Sequence, residues 1–561
     1  MVLHWLGVAD MAPVVTLEMV ADVGLWFTVI YTAKVVITAF FVSPMRKIPG
    51  PWYTNLTGLE RKYYAWQHQE HHYFIRMFAK YGPLVRVGPG MVGVGEAAMF
   101  RKMMSSHDLV KSKMYEDFAV LGENMFTTRR PEFNKTRRRQ IGPAFTASYV
   151  HQMAPLLKAE GVDELCRLFD AQIHAAERLQ PPDATGKARG ITNVYYAFTM
   201  MATDVISSLA YGHRFGAVDM LVREVESPEQ QQQGPAKQTE EFADGETSHT
   251  VLEYMIGSME LMRMVAEVPM IDRLPSWMRP PAVRHLYRMR DKFIDFTVRS
   301  VARYREQRDA RAEKRIPAGV ARNDIISAYL AAHDPETGAT MTDMEIASES
   351  TVLLAAGTDT TANTMVHAVG YLLRHPDKMA RVQHELRQAM PVRESVLTDP
   401  AQAPYLAAVI HETLRLRAST SGVWPRDAPR PTGITLGGWF IPPGTVLCGS
   451  IGGVHLNPET WPEPQRFMPE RFLGPAGEAR KKNIVAFSAG IRICPGRHLA
   501  MLELVLGLAT ILRRYEFAPV GPLPAPAASA DFFTEVDEVC HVTTTLRDPD
   551  RDCRVFISHS D

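Results

Sequence analysis

The stretch Phe487-Ser488-Ala489-Gly490-Ile491-Arg492-Ile493-Cys494-Pro495-Gly496 decides how this chain is read. A lone cysteine sits in a glycine-bracketed loop, with Pro495 directly behind it and an apolar run from His498 to Tyr515 following. Proline fits the first turn of a helix, so the pattern predicts Cys494 at a helix cap. There, backbone N–H groups and the positive end of the dipole favour an anion, which is a way to stabilise a thiolate. A buried, inert cysteine is the ordinary alternative. The fixed neighbours Phe487, Gly490, Arg492 and Gly496 are what separate the two.

These ten residues resemble the F-x-x-G-x-R-x-C-x-G haem-binding signature of the cytochrome P450 family. The resemblance covers about residues 49–545 and implies one large cytochrome P450 fold, mainly α with small β-sheets, of the α+β class. It implies haem b as cofactor and Cys494 as the axial iron ligand. Phe487 would pack near the sulfur, Gly490 would shape the loop, and Arg492 would pair with a haem propionate. Cysteine thiolate is the ligand that pushes electron density to favour O–O cleavage in these enzymes.

A second block, Ala356-Gly357-Thr358-Asp359-Thr360-Thr361, falls inside a helix expected over Met344–His375. A threonine hydroxyl can divert a carbonyl from the i→i−4 ladder and bend the helix. Gly357 is read as a gap where a flat cofactor or small ligand approaches the backbone. Alone, the block is equally a threonine-rich turn with satisfied hydroxyls. It resembles the oxygen-binding helix of cytochromes P450, which implies that Asp359 and Thr360 deliver protons during oxygen activation.

Glu412 and Arg415 stand three apart on the helix expected over Pro404–Arg417, an arrangement worth only a few tenths of a kcal/mol by itself. With Arg471 in Pro469-Glu470-Arg471-Phe472 they resemble the network that locks the family's core, which implies a structural role. Among the arginines from Arg129 to Arg139, neighbours lie about 100° apart on a helix and cannot all face one way. The family's W-x-x-x-R pattern aligns on Asn134 and Arg138. It implies Arg138 as a second propionate partner, although Asn134 departs from the expected aromatic or histidine. Arg426, in Trp424-Pro425-Arg426, resembles a third. The remaining arginines are expected to form a solvated patch that receives a reductase.

Lys+Arg and Asp+Glu are both 62, so the net charge is zero and gives no case for nucleic acid. The five cysteines show no CxxC pair or metal-ligand spacing, which suits a reducing compartment. Residues 1–48 are read as an N-terminal membrane anchor and flank. Leu25–Val42 is apolar except for Lys34; its ten Leu, Ile, Val and Phe residues offset the cost of about 2.5–3.5 kcal/mol for that lysine. A span shifted toward Met11 would take in Glu18 and Asp22 instead. Arg46 and Lys47 after the span place residues 49–561, the catalytic domain, in the cytosol by the positive-inside rule. A cleaved signal peptide lacks its basic n-region and small-residue cleavage site here. Pro49-Gly50-Pro51-Trp52 resembles the hinge after the anchor of microsomal members. The expected location is therefore the endoplasmic reticulum membrane, single-pass.

Further expectations are a helix over Tyr63–Lys80 and strands at Leu84–Val87 and Met91–Val94. A second strand pair is expected at Thr435–Ile441 and Thr445–Ser450. Arg223–Thr250 reads as a mobile surface insertion, and Arg178–Gly190 and Gly474–Lys482 as shorter loops. Asn55-Leu-Thr57 and Asn134-Lys-Thr136 match the glycosylation triplet, unmodified on a cytosolic face. By resemblance the substrate pocket is walled by Met114–Thr128, Met255–Met270, Leu353–Thr361, Ser419–Val423 and Phe532–Thr534. These stretches are rich in Met, Phe, Leu and Val, which suits a lipophilic terpenoid, sterol or polyketide, or simply an adaptable core.

The sequence thus points to a fungal-type microsomal haem-thiolate monooxygenase that hydroxylates or epoxidises a lipophilic small molecule of secondary metabolism. No Gly-rich βαβ fingerprint is present, so O2 chemistry would draw on NADPH through a separate NADPH–cytochrome P450 reductase, with cytochrome b5 as a further donor. A haem-thiolate isomerase or dehydratase that needs no reductase is the rival within the fold, against which Asp359 and Thr360 argue. A non-catalytic haem-binding protein is the rival outside it.

Overall fold

Helical periodicity runs through most of the chain, and the described residues form a stack of helices with four small sheets. The computed structural model describes residues 17–119, 122–179, 188–226, 248–268, 270–313, 323–521, 538–540 and 543–560. The first helix, α1 (Leu17–Ile37), runs on through a π-turn at Thr38–Val42. Its apolar span is Val20–Val42, 23 residues with almost no buried surface, long and apolar enough to cross a membrane. The span starts earlier than Leu25 and takes in both Asp22 and Lys34.

The helix expected over Tyr63–Lys80 is two helices, α2 (Leu59–Trp66) and α3 (Glu70–Tyr81). His68 between them has φ 59°. The break meets a distant partner: the His68 carbonyl accepts from Cys540 N–H at 2.9 Å, and Gln69 Nε2 donates to the Glu538 carbonyl at 2.7 Å. Tertiary hydrogen bonds override local periodicity here.

Strands β1 (Leu84–Gly88) and β2 (Met91–Val94) form the expected hairpin. After α4 (Ala97–Ser105) and β3 (Val110–Lys111) come α5 (Pro131–Ile141), α6 (Asp163–Leu179), β4 (Gly190–Asn193) and α7 (Val194–Tyr211). Helices α8 (Ser248–Glu267) and α9 (Pro281–Glu313) pack on each other. They precede the long α10 (Asp343–Arg374) and α11 (Pro404–Leu416). A capping box starts α10: Thr342 Oγ1 accepts from Glu345 N–H, and Glu345 Oε2 accepts from Thr342 N–H.

The second strand pair is arranged differently from expectation. Gly437 and Gly438, both at positive φ, fold β6 (Ile434–Leu436) onto β7 (Trp439–Ile441). Strand β8 (Val446–Ser450) instead runs parallel to β2 and antiparallel to β5 (Val423–Asp427). The resulting order β1-β2-β8-β5-β3 puts Lys111 of β3 directly opposite Arg426 of β5. Helix α12 (Arg497–Arg514) leads into β9 (Tyr515–Pro519); β10 (Glu538–Cys540) and β11 (Thr544–Leu546) form a hairpin, and β12 (Arg554–His559) joins β4 and β9.

Gly474–Lys481, expected as a loop, is a helix. Of the expected insertion, Arg223–Glu226 ends the helix Ala217–Glu226 and Ser248–Thr250 begins α8; residues 227–247 lie outside the described residues. Likewise Arg178 and Leu179 belong to α6, Gly190 opens β4, and residues 180–187 lie outside.

Candidate active site

The Cys494 loop is closed by its own backbone. Cys494 N–H donates to the Phe487 carbonyl at 2.8 Å, and the Phe487 ring packs on the main core. Gly490 has φ +57°, and a Cβ there would stand 2.2 Å from Ser105 Oγ and 2.7 Å from Ser105 Cα of α4. Only glycine satisfies both demands. The helix begins later than expected: Gly496 is its N-cap and Arg497 its first residue, so Pro495 lies before the cap, outside the first turn. The Gly496 N–H bonds the Cys494 sulfur and, with Arg138 and Arg497, draws the thiol's pKa down, but burial dominates and pushes it up. The helix end alone therefore does not hold a thiolate here. A coordinated metal ion deprotonates a thiol outright.

Three guanidiniums converge beside this loop, and each leaves donors unused. Arg138 Nη2 donates to the Ile493 carbonyl at 2.9 Å, and its Nε is buried with no partner among the described residues. Arg426 Nη1 donates to Tyr115 Oη at 2.7 Å and to its neighbour's carbonyl, and its Nε is likewise unpartnered. Arg492 has both Nε and Nη1 buried and unpartnered. Its pKa is pushed down to about 10, by burial first and then by the charges of Arg426 and Arg138. Lys111 completes the group: burial, then Arg426, Arg492 and Arg138, push it well down. Buried cations that repel one another and keep N–H donors free demand anions. A group bearing two carboxylates at the edge of a flat ring meets that demand, so the residues present fit a haem.

Lys111 was not among the expected site residues. Its Nζ reaches the carbonyls of Met125 and Phe126, and its place opposite Arg426 depends on strand register, which no local motif reports. Asn134 is buried and donates to the Met125 carbonyl at 3.1 Å.

The expected solvated arginine patch is present only in part: the Arg130 and Arg129 side chains are 68% and 32% exposed. Arg137 is buried, bonded to Glu345 and 3.3 Å from Glu349. Arg139 pairs with Asp334 and Glu336, Arg129 with Glu116 and Asp427, and Arg130 with Glu123. Arg137, Arg138 and Arg139 leave α5 in three directions, because successive side chains are about 100° apart.

On α10, Thr360 Oγ1 donates to the Ala356 carbonyl at 2.7 Å, the diversion that bends a helix. Burial pushes the Asp359 carboxyl up, opposed by a hydrogen bond from Thr543 beside β11. Gly357 does not open space for a ligand: it faces α7, and a Cβ there would stand 2.7 Å from Ile206 Cδ1.

Glu412, Arg415 and Arg471 come together in the interior. Arg415 Nε and Nη2 fork onto Glu412 at 2.7 and 2.9 Å, while Arg415 Nη1 donates to the carbonyls of His455 and Pro464. Arg471 Nε reaches the same carboxylate at 3.2 Å.

A cleft of about 330 Å³ opens beside Cys494, lined by Met125, Arg138, Phe145, Arg497 and His498 among others. A small apolar cavity of about 50 Å³ lies between α8, α9 and α10, with Phe118, Met255, Met259, Phe293 and Leu354 in its wall. No charged side chain lines the second cavity. Three of the five expected pocket walls contribute to it; Ser419–Val423 does not, and Phe532–Thr534 lies outside the described residues.

Fold and site together fit the class of haem enzymes with cysteine ligation. The family profile described as Cytochrome P450 matches residues 44–532, and the chain belongs to that family, as a monooxygenase. Among its relatives are the cytochrome P450 monooxygenases helB1 and helB3 of Aspergillus fumigatus. HelB1 is 27% identical over 93% of this chain and 83% of its own length. HelB3 is 27% identical over 93% and 95%. The crystal structure of the cytochrome P450DA heme domain superposes with a TM-score of 0.67 over 92% of this chain and 98% of that one. At 19% identity it speaks to the fold alone.

Proposed function

We propose that this monooxygenase is a membrane-anchored enzyme that hydroxylates or epoxidises a lipophilic molecule of the terpenoid, sterol or polyketide class. The observation that carries the haem assignment is the set of buried N–H groups on Arg138, Arg426 and Arg492 around Cys494 that have no partner among the described residues. In this reading Cys494 would ligate the haem iron and the three arginines would hold the propionates. When bound, the haem supplies the redox chemistry of O2, with the thiolate favouring O–O cleavage.

The chain's own residues manage protons and water. Thr360 has its hydroxyl hydrogen committed to the Ala356 carbonyl, so its oxygen lone pairs are free to accept and orient a donor. Asp359, with its pKa raised by burial, retains a proton to higher pH than an exposed carboxyl and serves as the acid. The uncharged cavity between α8, α9 and α10 supports an apolar substrate.

Membrane attachment draws support from the exposed span Val20–Val42 and from the exposed Trp52, Tyr63 and Trp66 that follow it, residue types that favour the membrane interface. Family membership supports the endoplasmic reticulum as location and an NADPH–cytochrome P450 reductase, with cytochrome b5, as electron donors. Two relatives named as Aspergillus fumigatus monooxygenases favour a role in fungal secondary metabolism.

The test is Cys494→Ser in the full chain. The expected protein is folded and has lost the thiolate-type carbonyl-ferrous absorption. Folded Cys494→Ser protein that keeps the parent's spectrum and oxidation would overturn the assignment. For the substrate class, a lipophilic ligand panel should shift the haem spectrum of wild-type protein, whereas binding confined to charged, water-soluble compounds would sink it.

A further inference from the structure

Two hydroxyls from different parts of the fold meet at the backbone of Thr360. Ser419 Oγ donates to the Thr360 carbonyl at 2.9 Å, and Thr364 Oγ1 donates to the same oxygen at 2.8 Å. The two hydroxyls are 3.2 Å from each other. Three contacts thus share two hydrogens, so the triangle is tight and its members cannot turn independently. A carbonyl drawn by side-chain donors tilts away from the helix axis. The residue so drawn is the one whose own hydroxyl is turned onto Ala356.

Ser419 is itself held. It is buried, and its carbonyl accepts Thr544 N–H of β11 at 2.7 Å. The hairpin of β10 and β11 is rooted by Glu538, which pairs with Arg417 in a buried salt bridge and stands 3.4 Å from His367 Nε2. A residue between those strands, Thr543, bonds Asp359. Two chain-distant segments therefore fix the peptide of one candidate proton-handling residue and the carboxyl of the other.

We propose that Ser419 is a positioning residue for Thr360, setting the tilt of its peptide and with it the direction of its hydroxyl during oxygen reduction. The inference rests on the assignment of Thr360 to proton delivery. Ser419 touches Thr360 and Thr364 and acts through them.

Proton delivery decides how reduced oxygen leaves. With two electrons and two protons O2 departs as hydrogen peroxide; with four of each it departs as two waters. The ratio of these outcomes follows from NADPH, O2 and peroxide measured together on holoprotein with reductase, and no substrate is needed. Ser419→Ala is expected to load haem normally and raise the peroxide-to-water ratio about two- to tenfold, the factor of one net hydrogen bond. Ser419→Thr, which keeps the hydroxyl, should match wild type.

A ratio unchanged in Ser419→Ala but raised in Thr360→Ala overturns the inference and leaves the Thr360 assignment standing. A ratio unchanged in both overturns the assignment and the inference with it. Ser419→Thr behaving as Ser419→Ala also overturns the inference, since the hydroxyl would not be what matters. Should Ser419→Ala fail to load haem, Ser419→Cys, close in size and a weaker donor, is read in the same way.

Discussion

Gly357 of α10 lies so close to Ile206 of α7 that a Cβ would stand 2.7 Å from Ile206 Cδ1 and 2.8 Å from Cγ1. The glycine in the Ala356–Thr361 block is thus a helix-packing residue. It brings α7 against the back of the helix whose other residues, Asp359 and Thr360, are the chemical candidates. The long helix is positioned by what it lacks on one side, and on it the Thr360 hydroxyl turns back onto the Ala356 carbonyl.

Gly357→Ala is accordingly expected to destabilise the protein by about 1–3 kcal/mol, the usual range for overpacking a tight contact, even though alanine is the better helix former. Ile206→Val removes Cδ1 and should recover part of the loss. Thermal melts of the single and double variants measure this. Additive losses would show that Ile206 is not the obstacle.

Some of this site is legible in the sequence. The Cys494 loop is a local object, since its glycine and cysteine lie within ten residues and its geometry is set by short-range bonds such as Cys494 N–H to Phe487 O. The helix holding Asp359 and Thr360 was legible from periodicity and the lack of an internal proline. The role of Gly357 was not, because Ile206 is far away in sequence. Nor was Lys111, whose position depends on β3 pairing with β5, or the helix break at His68, which meets Cys540. The fold's small sheets were half legible. Gly88-Pro89-Gly90 marks the β1–β2 hairpin, but the turn at Gly437 and Gly438 falls inside what reads as one strand, and nothing local says that β8 pairs with β2.

Arg415 is fully buried and spends its donors on Glu412 and on the carbonyls of His455, Pro464 and Arg466. Removing one partner of a buried pair costs about 3–5 kcal/mol, and Glu412 would keep Arg471 alone as a cationic partner. Arg415→Ala should therefore accumulate as unfolded or haem-free chain. Arg415→Lys should fare little better, because a single ammonium cannot form the fork. Yield of haem-loaded protein is the measurement, and a Lys variant at wild-type yield would refute the fork's importance.

Arg492 makes a prediction whose sign depends on the cofactor. In haem-free protein it is desolvated and repelled by Arg426 and Arg138, which lowers its pKa to about 10. Arg492→Gln should stabilise haem-free protein by relieving that repulsion. In the holoprotein the same change removes charged hydrogen bonds worth about 1.5–3 kcal/mol, so haem should transfer faster to an acceptor such as apomyoglobin. Faster haem loss paired with a higher apoprotein melting temperature is the expected signature. A higher apoprotein melting temperature with haem loss no faster than wild type would mean that no anion sits against Arg492.

Glu503 on α12 is buried at 1% exposure, and neither carboxylate oxygen has a partner among the described residues. Burial pushes its pKa from 4.5 up to about 8. Above pH 4.5 the unfolded chain gives up this proton while the folded chain keeps it until about pH 8. The folded state binds more protons across that window, so stability falls as pH rises through it, by up to about 1.4 kcal/mol per pH unit, and levels off above. Glu503→Gln keeps the shape and removes the ionisation. Its thermal midpoint relative to wild type should therefore climb between pH 4.5 and about pH 8 and stay constant beyond. A difference that is flat across the whole range would mean that Glu503 is ionised in the folded protein and has found a cation or water to hold it.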